Sequence, residues 1–212
     1  MSYIDALYKK DEDRIYVVER DPKKGRVFVE YDARYVFYYP DSRGKHRSMT
    51  GESLQKVICS THKEFIKEQR IRSNKALYEH DINPVFRCLE ENYLGKETPK
   101  LNVMFFDIEV DFDPDRGYST TDDPFMPITA ISCYMSWTDQ LVTLAVPPKT
   151  ISMDDAKELT KRFDNTMLFE KEKDMLDAFL QLVDDADILS GWNSEGYDIP
   201  YTVGRIQKVL SG

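Results

Sequence analysis

The sequence predicts a mixed α/β protein built from two domains, and three observations carry that expectation. Apolar residues in the first hundred positions fall in short runs separated by turn formers. After Pro99 the pattern changes to strands interleaved with amphipathic helices. Charge divides at the same place. Residues 1–100 hold 20 Lys+Arg against 17 Asp+Glu, a net +3, whereas residues 101–212 hold 9 against 21, a net −12. The Gly95-Lys96-Glu97-Thr98-Pro99 stretch has linker composition, so the expected division is 1–99, a small mixed β/α domain, and 100–212, an α/β domain.

In the first domain, Arg14–Arg20, Arg26–Tyr31 and Tyr35–Tyr39 are rich in β-branched and aromatic residues. Asp21-Pro22-Lys23-Lys24-Gly25 and Asp32-Ala33 separate them, which predicts an antiparallel meander. A polar stretch, 41–51, follows. Leu54, Val57, Ile58, Phe65 and Ile66 have helical spacing and predict one helix over about 53–72. Residues 78–94 predict a short strand and then a helix opened by Pro84.

The second domain reads strand, strand, strand, helix, strand, helix. The strands are 102–110, 128–136 and 141–146, with a long acidic loop after the first. Ser152-Met153-Asp154-Asp155 starts a helix. Residues 170–185 give the clearest helix, with Met175, Leu176, Phe179, Leu182 and Val183 on one face. Residues 186–190 form a short strand. A final helix is expected around Pro200, with Val203, Ile206 and Leu210 inward.

Composition excludes several classes. Three well-separated cysteines give neither a disulfide framework nor a Cys-x-x-Cys zinc spacing. No run approaches 18 apolar residues, so no membrane span is expected, and charges within the first eleven positions leave no room for a signal-peptide core. The histidines (His46, His62, His80) lack ligand spacing, no nucleophile–histidine pair stands out, and no glycine-rich phosphate loop is present.

Chemistry concentrates at two places. Leu101 to Val110 reads as a strand covered on both faces, yet it ends in Phe106-Asp107-Ile108-Glu109. Period-two alternation points Asp107 and Glu109 the same way, with Cα atoms about 6.6 Å apart. Paired like charges are costly unless a cation neutralises them, and the spacing suits divalent ions clamping a phosphoryl group. The plainer reading is a strand ending at solvent with two exposed acids. The second place is Gly191 to Tyr201, a strand-to-helix turn carrying Asn193, Tyr197 and Asp198. Asp198 alone reads equally as a helix-start residue. Asp111, Asp113, Asp115 and Gly117 faintly resemble a calcium loop, with the glycine and the closing acid out of position.

Together the two segments carry a resemblance. Phe106-Asp107-Ile108-Glu109-Val110 is similar to the first exonuclease motif of family B DNA polymerases. Trp192-Asn193, followed after three residues by Tyr197-Asp198-Ile199-Pro200-Tyr201, is similar to the second. Within the family, the chain looks most like the T-even-type phage replicative enzymes. Ile128-Thr129-Ala130-Ile131 and Asp174-Met175-Leu176 match between the motifs, and Glu79-Asp81-Ile82 with Arg87 match loosely before them. The resemblance implies a ribonuclease-H-like fold and 3′→5′ exonuclease chemistry. Asp107, Glu109 and Asp198 would then be catalytic carboxylates holding two Mg²⁺ or Mn²⁺ ions, one generating hydroxide and the other stabilising the leaving 3′ oxygen. Asn193 and Tyr197 would contact substrate. It also implies a single-stranded DNA 3′ end as partner, and the cytoplasm of an infected bacterial host as location.

The family's third motif, a Tyr followed four residues later by an Asp, should come well after Asp198, and this chain stops fourteen residues beyond it. The expectation is therefore an incomplete ribonuclease-H-like exonuclease domain: an N-terminal piece or split subunit of a polymerase. The remaining carboxylate and the polymerising domains would come from a downstream segment or partner chain. An alternative is a non-catalytic module that binds single-stranded nucleic acid, including RNA, or assists assembly. It rests on a basic region in which Arg70, Arg72 and Lys75 are candidate contacts, beside Tyr31, Tyr35, Phe37, Tyr38 and Tyr39. Those aromatics read equally as core residues beside a solvated helix face.

Overall fold

The structure, a computed structural model, describes residues 2–21 and 23–210. The chain divides into two compact units, Met1–Lys100 and Leu101–Gly212.

In the first unit, β1 (Ser2–Lys9), β2 (Arg14–Asp21) and β3 (Gly25–Asp32) form an antiparallel sheet in that order. Gly25 takes φ 72° at the β2–β3 turn, a conformation glycine adopts without steric cost. β4 (Tyr35–Pro40), β5 (His46–Arg47) and β6 (Ser53–Cys59) make a second sheet of order β4-β6-β5. The sequence-predicted meander is thus split: the Tyr35–Tyr39 strand lies in the second sheet, and β1, which periodicity missed, pairs with β2 on the edge opposite β3. α1 (His62–Ile71) and α2 (Pro84–Tyr93) complete the unit. Ile15, Val17, Tyr35, Phe37, Cys59, Phe65 and Tyr93 form its core.

The helix expected over 53–72 is corrected to strand β6 followed by α1. β6 pairs with β4 from Tyr35↔Cys59 to Pro40↔Leu54, and Ile58 is exposed. The true helix start is Thr61, whose side chain accepts the Glu64 N–H, while Glu64 in turn accepts the Ser60 N–H.

The second unit holds a five-stranded sheet of order β10-β9-β8-β7-β11. β7 (Val103–Val110), β8 (Ile128–Met135) and β9 (Gln140–Ala145) run antiparallel. β10 (Thr166–Leu168) joins β9, and β11 (Ile188–Ser190) joins β7, both in parallel. The helices are α3 (Met153–Thr160), α4 (Glu172–Val183) and α5 (Asp198–Leu210). Met104, Phe106 and Ile108 of β7 pack with Cys133, Leu144, Met175, Leu176, Phe179 and Tyr201 on one side of the sheet.

The opposite side is bare, which corrects the expectation that β7 is covered on both faces. Phe105, Tyr134 and Leu141 are cross-strand neighbours in one row and are 47%, 38% and 53% exposed. The last helix holds Pro200 in its first turn and packs Ile206 and Leu210 on the core as expected, but Val203 is exposed, and the buried residues are Asp198, Tyr201, Thr202 and Arg205. No helix among the described residues is long and apolar enough to cross a membrane. All three cysteines are free and buried, and burial pushes the Cys133 thiol up to about 12.

Candidate active site

β7 presents its side chains in strict alternation. Met104, Phe106 and Ile108 are buried, whereas Phe105, Asp107 and Glu109 are exposed on the bare face. The face is banded by register. Phe105, Tyr134 and Leu141 form an apolar row; Asp107, Ser132 and Thr143 form the next, polar one; Glu109, Ala130 and Ala145 form the third. A register shift follows between Glu109 and Val110, the kind of irregularity that re-aims a strand end.

The second motif reaches this face around the end of β11. β11 pairs with β7 only as far as Ser190↔Phe105, so the edge of β7 beyond that point lacks a strand neighbour. Gly191 makes the turn possible: a Cβ there would lie 2.3 Å from the Phe106 carbonyl oxygen, a backbone atom. Trp192 is 92% exposed. Asn193 adopts φ 54°, tolerable for Asn, and its carbonyl accepts the N–H groups of Gly196 and Tyr197. The chain then enters α5, and the Asp198 carboxylate accepts the Ile108 N–H of the open β7 edge at 3.3 Å.

Asp198 is 4% exposed. Burial raises its pKa above the ordinary carboxylate value, the nearby Asp107 charge adds to the rise, and the Ile108 N–H opposes it. Asp107 and Asp198, 91 positions apart in the sequence, are therefore electrostatic neighbours. Glu109 lies two residues further along the same face. Tyr197 is half-buried, stacks on Tyr201 at 5.3 Å, and has its phenol pKa raised by burial, with Tyr201 and Asp198 contributing. Asn193 is exposed at the turn.

The donor set of Asp107, Glu109 and Asp198 is all oxygen, which fits a hard cation such as Mg²⁺ or Mn²⁺. Among the described residues, no group of three or more His, Cys, Asp or Glu side chains lies close enough together to hold a metal ion, so Asp107, Glu109 and Asp198 are not drawn into one binding site. A Mg²⁺ ion would take one or two of these carboxylates and complete its shell with waters and phosphate oxygens.

A shallow groove of about 500 Å³ adjoins the acids, lined by Phe105, Asp107, Ser132, Tyr134, Leu141 and Trp192. Periodicity missed this apolar row, because a strand exposed on one face and a strand buried on both carry similar apolar runs. Asp113, in the loop that resembled a calcium site, accepts the N–H groups of Asp115 and Arg116 and so shapes the turn.

In the first unit, the three candidate cations separate. Arg72 pairs with Glu68 and lies over the Tyr39 ring at 4.8 Å; Lys75 covers the same ring at 4.5 Å. Arg70 is exposed and lies beside Lys10, Lys63 and Lys67, with Asp11, Asp13 and Glu64, in a groove of about 1220 Å³. Tyr35 and Phe37 are enclosed in the core and offer no face to a base.

The second unit is a mixed α/β exonuclease domain of the ribonuclease-H-like type. Residues 54–211 match the exonuclease domain of DNA polymerase family B, and the chain belongs to that family. It is 27% identical over 206 residues to the DNA-directed DNA polymerase of Escherichia phage RB69, covering 86% of this chain and 23% of that protein. It is 29% identical over 117 residues to the DNA polymerase catalytic subunit of Saimiriine herpesvirus 2, covering 54% of this chain and 11% of that protein. The chain thus spans less than a quarter of the length of these relatives.

Proposed function

We propose that this chain contributes the proofreading 3′→5′ exonuclease site of a family B DNA polymerase, acting on the single-stranded 3′ end of DNA. The observation that carries the reading is the seating of Asp198 on the free edge of β7, beside Asp107. Asp107, Glu109 and Asp198 would hold the divalent ions. Bound Mg²⁺ or Mn²⁺ supplies Lewis-acid activation of water and stabilisation of the leaving 3′ oxygen. Tyr197, half-buried and carrying a phenol that is protonated at neutral pH, would donate to a substrate oxygen, and Asn193 would offer its exposed carboxamide to the same strand.

The chain acts as an N-terminal portion or split subunit. The bare row of Phe105, Tyr134 and Leu141 supports that reading: exposed aromatic and aliphatic side chains in one row are the surface a further polymerase segment would cover. That segment would bring the remaining acidic ligand to the Asp107 side. The test pairs this chain with the downstream polymerase segment and follows 5′-labelled single-stranded DNA in Mn²⁺. Asp107→Ala and Asp198→Ala should each slow degradation by at least about 100-fold. Equal degradation by both variants and the unaltered chain would refute the assignment.

A second reading concerns the first unit, where Lys63, Lys67 and Arg70 lie at i, i+4 and i+7 on α1, across a groove from Lys10. This stripe suits phosphates of single-stranded nucleic acid, RNA included. Binding should weaken steeply with salt, and the triple change of Lys63, Lys67 and Arg70 to Gln should flatten that dependence. Changing Arg72 and Lys75 should leave it in place.

A further inference from the structure

We propose that Arg205 is a positioning residue, whose grip on Glu172 and on the Pro124 and Phe125 carbonyls fixes α5 so that Asp198 remains seated on the edge of β7. The proposal rests on reading Asp198 as a site acid.

The buried face of α5 is unusual. Residues 198, 201, 202 and 205 fall at i, i+3, i+4 and i+7, the spacing of an apolar stripe, yet they are Asp, Tyr, Thr and Arg. Three of the four carry directional contacts. Asp198 accepts the Ile108 N–H, and the Tyr201 hydroxyl donates to the Met126 carbonyl at 2.8 Å. Arg205 uses its whole fork. Its Nε donates to Glu172 Oε1 at 2.8 Å, its Nη2 donates to Glu172 Oε2, and its Nη1 donates to the Pro124 and Phe125 carbonyls at 2.9 and 3.3 Å. Glu172 is itself fixed, because its Oε1 also accepts the Ile128 N–H at 2.8 Å. One guanidinium therefore ties α5 to α4, to the start of β8 and to the loop returning from β7.

The geometry explains why such a tie is needed. Arg205 lies about 10.5 Å along the helix axis from Asp198. Two directional anchors that far apart fix both the rotation and the axial position of a helix. The other inward residues of α5, Ile206, Val209 and Leu210, are half-buried and apolar. Apolar contact is non-directional, so by itself it tolerates small slides and turns. Gly204 lets the helix approach closely: a Cβ there would lie 2.7 Å from the Pro124 ring. Buried ion pairs add little net stability and are better suited to fixing one arrangement. Lys cannot reproduce the fork, since its ammonium is a point donor.

The readout is the Ile108 amide, whose acceptor is Asp198. Hydrogen exchange of the full chain should show Ile108 exchanging about tenfold faster in Arg205→Lys, the loss of about one hydrogen bond of local protection. Amides of the α4 core should keep their rates. Ile15→Val, a core change in the first unit, should leave Ile108 unaltered at matched temperature. In the assembled polymerase, Arg205→Lys should lower kcat for single-stranded DNA by about 10–100-fold with KM unchanged. If Arg205→Lys does not fold, Glu172→Gln is the second probe and should show the same Ile108 acceleration. Unchanged Ile108 exchange in a folded clamp variant overturns the proposal, as does unchanged kcat in a polymerase whose nuclease is lost with Asp198→Ala. Accelerated exchange in a polymerase whose nuclease ignores Asp198→Ala leaves the positioning role standing and removes the exonuclease reading instead.

Discussion

Asp198 is an acid kept where an acid is uncomfortable. Its folded pKa is raised above the unfolded value, chiefly by burial and then by Asp107. Its contribution to stability is therefore present below the unfolded pKa, near 3.9, and is lost as pH rises through the folded pKa. This is the reverse of a salt-bridged carboxylate. Asp198→Asn should raise the melting temperature of the metal-free chain at pH 7 by a few degrees, at roughly 2–4 °C per kcal/mol for a chain of this size. It should also flatten the acid-side dependence of stability. Mg²⁺ should raise the melting temperature of the unaltered chain and leave the Asn variant unmoved. A thermal scan in which Asp198→Asn melts at or below the unaltered chain would contradict this. At this scale the sequence was legible where chemistry follows period. Asp107 and Glu109 share a face because strands alternate, and the motif around Asp198 drew attention to a residue that the fold seats against β7. Arg205 and Glu172 were not legible, because a buried polar residue at helical spacing looks like one on a solvated face until its partners are known.

At the scale of elements, the turn after β11 is where packing leaves least room. Gly191→Ala would drive a methyl into the Phe106 carbonyl. The β7–β11 junction would have to part, at a cost of about 1–3 kcal/mol. We expect urea denaturation to show that loss, and Ile108 exchange to quicken as Asp198 is pushed from its seat. A stable Gly191→Ala chain with unchanged Ile108 exchange would show the turn to be looser than its geometry implies. The helices of the second unit were legible because Met175, Leu176 and Phe179 give α4 an apolar stripe and Ser152 caps α3 through the Asp155 N–H. β6 was not, because Leu54, Val57 and Ile58 happen to fall at helical spacing. Cross-strand pairing with β4 decided the matter, as tertiary context often does for β-branched segments. The capping pair Thr61 and Glu64 was the local signal that placed the helix start eight residues later than expected.

At the scale of the whole chain, the two units each have their own core. We propose that the Gly95–Lys100 segment, which has no regular structure, is a boundary between independently folding domains. Limited proteolysis should cut there first and leave two resistant pieces; cutting inside either core instead would contradict it. The opposed charges of the halves were legible in composition. The bare sheet face was not, since exposure is a property of what lies opposite, and no local pattern encodes it.

Trp192 gives that face an optical handle. The chain has two tryptophans; Trp137 packs against the core of the second unit, whereas Trp192 stands almost wholly in water beside Asp107. Emission from this chain should contain a long-wavelength component open to acrylamide quenching, and Trp192→Phe should remove it. Whatever settles over Phe105 and Tyr134 will shift that component to the blue, so docking on this face can be timed in a stopped-flow cuvette without attaching a dye.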